Sequence, residues 1–222
     1  MIEYNELEKK VVLKLVYYGP AMSGKTTNLL SLHDSIDRSG RGDLMMLDTA
    51  DDRTIYFDLL PFFIVCPSGL KIKLKVYTVP GQVKHDATRK AVLTRADGVA
   101  FIADSRLSEM QNNAESFDNL ENNLAFVGLD IEKMPLVIQF NKRDLPDIIP
   151  EDEVCKSWGN TGLPVIMASA LYGKGVMKTF RMLSEQTYDA VNDRLGLNSI
   201  HGLSREDFTG RLLRQSTTST GN

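Results

Sequence analysis

The chain has 222 residues, which suits one medium-sized α/β domain with a short extension and is too short for two full domains. Its net charge of −3 lacks the basic excess of an electrostatic nucleic-acid binder, so we expect no nucleic acid partner. The longest clean apolar run has eight residues, and the two distant cysteines form neither a zinc nor a disulfide pattern, so we expect a cytoplasmic protein without a transmembrane segment.

Strand-like and helix-like segments alternate from the first residues onward. Residues 10–18 are rich in β-branched and aromatic side chains, which predicts a strand. Apolar residues at helical spacing predict a helix over 24–38, and a further strand is predicted over 43–49. These segments begin an alternating pattern of β and α units, which is typical of α/β folds.

The segment 69–79 has the pattern of a strand with one packed face and one solvated face. Its apolar residues alternate with lysines, which suits an antiparallel or edge strand better than a central parallel one. The apolar run at 59–66 is its candidate hairpin partner. We expect Pro61 to limit where that partner begins, because proline cannot donate a ladder hydrogen bond.

Two short, nearly continuous apolar runs, at 97–105 and 134–141, have the pattern of strands buried on both faces. The alternation of elements predicts an α/β fold with a three-layer, doubly wound, mostly parallel sheet and an antiparallel hairpin at its edge. The remaining predicted elements are a long helix over 108–127, a helix over 150–158, a strand over 163–168 and a helix over 174–195.

The C-terminal part of the chain differs from the rest. Gly196 should end the preceding helix, and the apolar residues of 197–214 predict a short extra helix. The last residues lack core-forming side chains and should be disordered. We therefore expect a domain over 1–196 and a C-terminal extension over 197–222, made of a short helix and a disordered tail.

The first predicted strand runs directly into GPAMSGKT at 19–26, and a helix follows. This is the G-x-x-x-x-G-K-[ST] phosphate-binding motif in its required context. Its two glycines allow close backbone approach, its N–H groups form an anion site, the lysine meets the β- and γ-phosphates, and the threonine hydroxyl can bind Mg²⁺. The candidate nucleotide-binding residues here are Gly19, Ser23, Gly24, Lys25, Thr26 and Thr27.

The tetrapeptide NKRD at 141–144 follows a buried strand, where a doubly wound sheet binds ligands. Asp144 can accept hydrogen bonds from guanine N1–H and the exocyclic amine, whereas adenine offers no such pair of donors. The Lys142 stem can lie along the base, and Asn141 can tie this loop to the phosphate loop. The next strand ends in ASA, which adds Ser169 and Ala170, whose backbone N–H could reach guanine O6.

The segment TVPGQ at 78–82 is similar to the D-x-x-G-Q element of Ras-like GTPases, with Thr78 where aspartate is expected. Threonine can contact Mg²⁺ through a bound water but adds no charge. Gly81 can offer a backbone N–H to the γ-phosphate. Gln82 can orient the water for in-line attack, which makes it a catalytic candidate.

The missing carboxylate leaves alternatives open. Either metal binding is weaker than in Ras-like GTPases, or another carboxylate helps to bind the metal. Asp48 and Asp104 each end an apolar strand, as the aspartate of a Walker-B sequence does. Because of Asp104, an ATPase remains an alternative interpretation of the sequence. In the segment 49–57, Thr54 is the candidate switch threonine, with its hydroxyl on Mg²⁺. Arg53 beside it could supply positive charge to the transition state, although plain solvation explains it equally well.

Taken together, the motifs resemble those of the MglA family of bacterial Ras-like GTPases over roughly residues 10–195. The resemblance rests on YYGPAMSGKTTNL, DRTIYFDLLP, YTVPGQVKHDATRK, DGVAFIADS and VIQFNKRDLP. Threonine in place of the DxxG aspartate is a feature of that family. The resemblance implies a Ras-like P-loop GTPase fold, GTP/GDP with Mg²⁺ and slow intrinsic hydrolysis of GTP.

The same resemblance implies a role and partners. Arg53 and Gln82 would be catalytic residues brought into place by an MglB-like Roadblock/LC7 dimer, and GTP-dependent effectors would link the protein to cell polarity and gliding motility. A monomer that is recruited to a cell pole is expected. The alternative is a scaffold that binds GTP or GDP and scarcely hydrolyses it, for which Thr78 leaves room.

Overall fold

The computed structural model describes residues 3–5, 9–37, 41–47, 57–80 and 86–214. The strands are β1 (Glu3–Asn5), β2 (Lys10–Tyr18), β3 (Met45–Leu47), β4 (Phe57–Val65), β5 (Lys71–Thr78), β6 (Gly98–Asp104), β7 (Leu136–Asn141) and β8 (Val165–Met167). The α-helices are α1 (Lys25–Ser35), α2 (Asp86–Leu93), α3 (Met110–Phe126), α4 (Glu151–Trp158), α5 (Val176–Leu195) and α6 (Arg205–Leu212). Within these ranges no helix is long and apolar enough to cross a membrane.

The strands form one sheet in the order β3-β4-β5-β2-β6-β7-β8, and β1 pairs with β2 beside this path. The central strands β5, β2, β6, β7 and β8 are parallel, whereas β3, β4 and β5 pair antiparallel. This confirms the predicted doubly wound sheet with an antiparallel hairpin near its edge. Strand β1, which pairs antiparallel with β2, was not predicted.

The prediction that Pro61 limits the start of its strand was wrong. Strand β4 begins at Phe57 and carries Pro61 in its interior, opposite Lys75. The Pro61 carbonyl accepts a hydrogen bond of 2.8 Å from Gly42 N–H. In a strand, the nitrogen of a residue faces the same neighbour as its carbonyl. The proline nitrogen therefore faces the segment before β3, where no regular ladder requires a donor.

Two apolar clusters cover the two faces of the sheet. One packs α1, α5 and the C-terminal helix α6 against β2, β4 and β5, and the other packs α2, α3 and α4 against β6 and β7. All residues of β6 and β7 are buried, which explains their continuous apolar sequences. The predicted three-layer arrangement is thus confirmed.

The segment after α5 joins the first of these clusters. Gly196 ends α5 in the left-handed conformation, with φ 62°, as its position predicted. Helix α6 is the predicted short helix, and its Phe208 ring contacts the Tyr188 ring of α5 at 5.4 Å between centroids. The Tyr188 hydroxyl donates a 2.6 Å hydrogen bond to Leu203 O. The predicted tail at 215–222 lies outside the described residues, and the domain boundary at 196 stays a prediction.

Candidate functional site

The phosphate loop connects β2 to α1 at the carboxyl edge of the parallel strands. Gly19 and Gly24 have φ angles of 143° and 96°, a region that side chains rarely adopt. A Cβ at Gly19 would collide with the Ile102 carbonyl oxygen, and a Cβ at Gly24 would collide with the Asn141 amide nitrogen. Both glycines are therefore required by the close packing of this loop on β6 and on the end of β7.

The Lys25 ammonium is buried beneath this loop. Lys25 is only 7% exposed, and its Nζ donates to Gly19 O at 3.0 Å and to Pro20 O at 2.6 Å. Among the described residues it forms no ion pair with a carboxylate. Burial, and next the nearby Arg89 charge, lower the pKa of Lys25 to about 7. A buried cation of this kind is stabilised by an approaching anion, so the loop suits a phosphate group.

A carboxylate that sequence analysis did not select lies next to Lys25. Asp58 is 6% exposed near the start of β4, and its Oδ2 accepts hydrogen bonds from Thr26 Oγ1 at 2.6 Å and Thr78 Oγ1 at 3.0 Å. The Asp58 N–H donates to Thr78 Oγ1 at 2.9 Å. The available signal was an aspartate inside the apolar sequence FDLLPFFIV. Asp58 thus brings negative charge to the position where Thr78 supplies none.

These three side chains provide the kind of oxygen atoms that Mg²⁺ prefers. Magnesium usually keeps several waters and takes one or two protein carboxylates together with substrate phosphates, so a dedicated protein cage is not required. In keeping with this, the described part of the chain contains no group of three or more His, Cys, Asp or Glu side chains that could hold a metal. Thr26, Asp58 and Thr78 therefore fit a magnesium shell shared with a nucleotide.

Asn141 joins the phosphate loop to the predicted base-recognition loops. Its side chain is 2% exposed, and its Nδ2 donates to Ser23 O at 2.8 Å, as the sequence suggested. Its Oδ1 accepts a 2.9 Å hydrogen bond from Ala170 N–H. This N–H, which we expected to reach guanine O6, is thus directed at Asn141. The neighbouring Ser169 is also buried and exchanges main-chain hydrogen bonds with Lys174.

Lys142 forms an ion pair with Asp104, the residue whose position at a strand end resembled a Walker-B aspartate. Asp104 is 1% exposed, and its Oδ2 lies 2.6 Å from Lys142 Nζ and 2.8 Å from Arg106 Nη2. Burial raises the pKa of Asp104, but the hydrogen bonds from Arg106 and Lys142 outweigh it and hold this pKa below its ordinary value. Asp104 thus positions the base loop, a role different from the metal-binding role on which the ATPase alternative depended.

The remaining predicted residues fall into two groups. Asp144 is exposed, and none of the described residues donates a hydrogen bond to its carboxylate, so it can accept from a base. Thr27 is half-buried in the first turn of α1. The candidates that lie outside the described residues are Arg53, Thr54, Gly81 and Gln82, together with the alternative carboxylate Asp48.

A buried amide pair, which sequence analysis also missed, links the loops from below. Asn28 of α1 and Gln139 of β7 are fully buried and exchange two side-chain hydrogen bonds of 2.9 Å. Asn28 Nδ2 also donates to Gly24 O at 2.9 Å, and Gln139 Nε2 donates to Thr179 Oγ1 at 2.7 Å. Because polar groups at this depth are costly unless paired, the network holds the phosphate loop, β7 and α5 in one arrangement.

The first turn of α2 is anchored to α3 by a second polar network. Asp86 Oδ1 accepts hydrogen bonds from Asn123 Nδ2 at 2.9 Å and Asn119 Nδ2 at 3.2 Å. Its Oδ2 lies 2.6 Å from Lys90 Nζ, and this hydrogen bond holds the pKa of Asp86 well below its usual range. The Tyr18 hydroxyl, at the end of β2, donates to Asn119 Oδ1. This network fixes the start of the helix that follows Gln82.

Comparisons with known proteins agree with this geometry. The Arf, or ADP-ribosylation factor, family matches residues 65–187, a range that contains Thr78, the NKRD loop and Ala170. The chain is also similar to the mutual gliding-motility protein MglA of Myxococcus xanthus (strain DK1622), with 42% identity over 181 residues, which are 82% of this chain and 93% of that protein. The chain therefore belongs to the MglA family of Ras-like small GTPases.

Proposed function

We propose that this protein is a nucleotide-dependent switch that binds GTP and GDP with Mg²⁺ and slowly hydrolyses GTP. The observation that carries the proposal is the contact between Asp58 and the hydroxyls of Thr26 and Thr78, beside the buried ammonium of Lys25. The Lys25 ammonium and the oxygen atoms of Thr26, Asp58 and Thr78 thus lie together where the phosphate loop enters α1. It supplies from β4 the charge that the DxxG position lacks.

Thr26, Asp58 and Thr78 would hold the metal shell in this proposal, with Thr54 as a further candidate from the segment outside the described residues. When bound, Mg²⁺ neutralises charge on the β- and γ-phosphate oxygens. Lys25 adds a second positive charge from beneath the loop, and its burial makes that charge effective because solvent does not screen it. These residues therefore bind and orient the triphosphate.

Guanine recognition is proposed for the loop at 141–144. Asp144 is exposed at the loop, where its carboxylate can accept from guanine N1–H and the exocyclic amine. Asp104 holds the Lys142 stem, and Asn141 holds the loop against Ser23 O. A base loop fixed from two sides loses little conformational freedom on binding, which favours affinity.

For hydrolysis we assign Gln82 to orient the attacking water and Arg53 to stabilise the transition-state charge. An MglB-like Roadblock/LC7 dimer is the proposed activator, and GTP-dependent polarity and motility effectors are the proposed targets. The name of the Myxococcus xanthus relative, a mutual gliding-motility protein, supports the proposed role in motility. A cytoplasmic monomer that is recruited to a cell pole completes the proposal.

Single-turnover GTP hydrolysis, measured with and without a Roadblock/LC7-type dimer, tests the catalytic assignment. Gln82→Ala and Arg53→Ala should keep GTP binding and lose the stimulated rate. The control Arg181→Ala, at an exposed position of α5, should keep both. Stimulated rates that are unchanged in both Gln82→Ala and Arg53→Ala would refute the catalytic assignment of these two residues. A natural chain that binds GTP but does not hydrolyse it, even with the dimer, would favour the scaffold alternative. A failure of GTP to compete better than ATP would reject the guanine assignment as a whole.

A further inference from the structure

A lysine-rich surface lies on the same face of the sheet as α2 and α3. It starts at the N-terminal end of β5, whereas the phosphate loop lies at the carboxyl ends of the parallel strands. Lys71, Lys73 and Lys75 lie at alternate positions of β5, on the face away from the α1, α5 and α6 cluster. Lys14 of β2 lies directly opposite Lys75, and Phe63 and Val65 of β4 lie opposite Lys73 and Lys71. We call these six residues the lysine face.

The lysine face is electrostatically unfavourable by itself. Like charges directly opposite each other on neighbouring strands are destabilising. Burial and next the Lys75 charge lower the pKa of Lys14, whereas the nearby Asp97 charge raises it by a smaller amount. Among the described residues, Lys71, Lys73 and Lys75 form no ion pair with a carboxylate. The chain as a whole carries a net charge of −3, so a concentration of lysines here does not follow from composition.

Two exposed apolar side chains lie within this charged surface. Phe63 is 51% exposed and Val65 is 57% exposed, although they belong to the middle and end of a regular strand. Lys73 Nζ lies 5.3 Å from the Phe63 ring centroid, so charge and apolar surface are in direct contact. A solvated polar face has no need of these side chains, and exposed apolar groups bordered by charge are typical of binding surfaces.

Four residues of the lysine face line a concave surface. A groove of about 550 Å³ is lined by Phe63, Val65, Lys71 and Lys73, with Ile64 and Ile72 contributing to the lining. A groove receives an inserted chain segment, whereas a bilayer is reached by a protruding or flat surface with apolar tips. The concave shape therefore favours a protein segment over a membrane as the occupant.

We propose that the lysine face binds an acidic segment of a partner protein that also carries an apolar side chain. Glutamates or aspartates of the segment pair with Lys71, Lys73 and Lys75, and its apolar side chain packs on Phe63 and Val65 in the groove. Along β5 the lysine face extends from Lys71, about 23 Å from Thr78 at the rise of a β-strand, to Lys75, about 10 Å from Thr78, and its side chains lie on the opposite side of the strand from that of Thr78. It is therefore separate from the nucleotide site and does not depend on the proposed function.

The test uses the full chain and a labelled peptide, Glu-Glu-Phe-Glu-Glu-Leu-Glu-Glu, in a fluorescence anisotropy titration. The charge-reversal variant Lys71→Glu/Lys73→Glu/Lys75→Glu should bind the peptide at least about tenfold more weakly than the natural chain. The matched control Lys133→Glu/Lys156→Glu/Lys178→Glu reverses three exposed lysines elsewhere and should bind normally. Both variants should keep GDP binding, since none of these residues contacts the phosphate or base loops.

A second variant tests the apolar contact without changing charge. Phe63→Ser should also weaken peptide binding, and a peptide with serine in place of Phe and Leu should bind weakly to every form. Vesicles of equal parts phosphatidylglycerol and phosphatidylcholine serve as the membrane alternative. The proposal is overturned if the natural chain binds only the vesicles or binds neither probe. It is also overturned if the matched control loses as much peptide affinity as the charge-reversal variant does.

Discussion

The Asp58 carboxylate and the Thr78 hydroxyl form a reciprocal pair: Thr78 Oγ1 donates to Asp58 Oδ2 at 3.0 Å and accepts from Asp58 N–H at 2.9 Å. The pair exists because β4 and β5 are antiparallel, which brings the start of β4 beside the end of β5. A carboxylate on one strand therefore stands next to the hydroxyl on the other. In our proposal, this carboxylate supplies the negative charge that Ras-like proteins take from the DxxG aspartate.

This pair predicts that Asp58→Asn weakens the binding of Mg²⁺ in the nucleotide complex. The substitution keeps the shape of the side chain and removes its charge, so we expect the Mg²⁺ concentration needed for half-maximal GDP retention to rise about 10- to 100-fold. Release of a fluorescent GDP analogue at graded Mg²⁺ concentrations measures this. Asp43→Asn, at an exposed carboxylate before β3, is the matched control. An unchanged Mg²⁺ midpoint in Asp58→Asn would remove Asp58 from the metal shell.

Proton uptake on nucleotide binding is predicted from Lys25. Its pKa is lowered to about 7 in the folded protein, and a bound polyphosphate should raise it again. Between pH 7 and the ordinary lysine pKa, binding therefore takes up a proton at Lys25, and below about pH 6 it does not, because Lys25 is already charged. Isothermal titration calorimetry of GDP binding at pH 8.0, in buffers of different ionisation enthalpy, measures the number of protons taken up per GDP bound.

The same shift affects stability in the absence of nucleotide. Between pH 7 and the ordinary lysine pKa, the unfolded chain binds more protons at Lys25 than the folded chain, so this group makes stability rise with pH across that window. Lys25→Met should abolish both the proton uptake and this contribution to the pH dependence. Equal proton counts in Lys25→Met and the natural chain would show that another group titrates.

Asp104→Asn should speed GDP release by loosening Lys142. The substitution removes the charge that holds Lys142 Nζ at 2.6 Å, so the lysine stem is less confined beside the base. We expect GDP affinity to fall about tenfold, or about 1.4 kcal/mol. Asp130→Asn, at an exposed carboxylate that pairs with Lys133, should leave GDP affinity unchanged. A thermal melt of Asp104→Asn shows whether the variant is still folded. If the folded variant releases GDP at the natural rate, Asp104 does not position Lys142 for nucleotide binding.

The C-terminal segment should contribute strongly to folding stability. Phe208 of α6 is fully buried against Tyr188, so Phe208→Ala is expected to cost about 3–5 kcal/mol in the free energy of unfolding. Ile200→Ala, at a position 69% exposed in the same segment, should change it by less than about 0.5 kcal/mol. Urea unfolding measures both. Similar values for the two variants would mean that the domain indeed ends near 196.

Local patterns were sufficient for much of the fold. The continuous apolar runs of β6 and β7 predicted strands that are buried on both faces. The alternating lysines of β5 predicted an antiparallel or edge strand, but β5 lies inside the sheet, antiparallel to β4 and parallel to β2. The start of β4 was predicted too late in the chain, because Pro61 was expected to limit it. Whether a strand accepts a proline depends on whether the neighbour that its nitrogen faces requires a hydrogen-bond donor. That neighbour, the segment before β3, is distant in the sequence.

The sequence by itself was sufficient to recognise the family and to predict the phosphate and base loops, because these motifs depend on residue types at fixed spacing along a few consecutive positions. Only the tertiary structure decided which carboxylate lies beside the threonine hydroxyls of the phosphate end and which lies beside the base loop. Asp58 and Asp104 each look like a polar residue in an apolar strand, and their roles follow from the side chains that strand pairing places beside them, Thr78 and Lys142. Such pairings join residues far apart in the chain, so no local pattern records them.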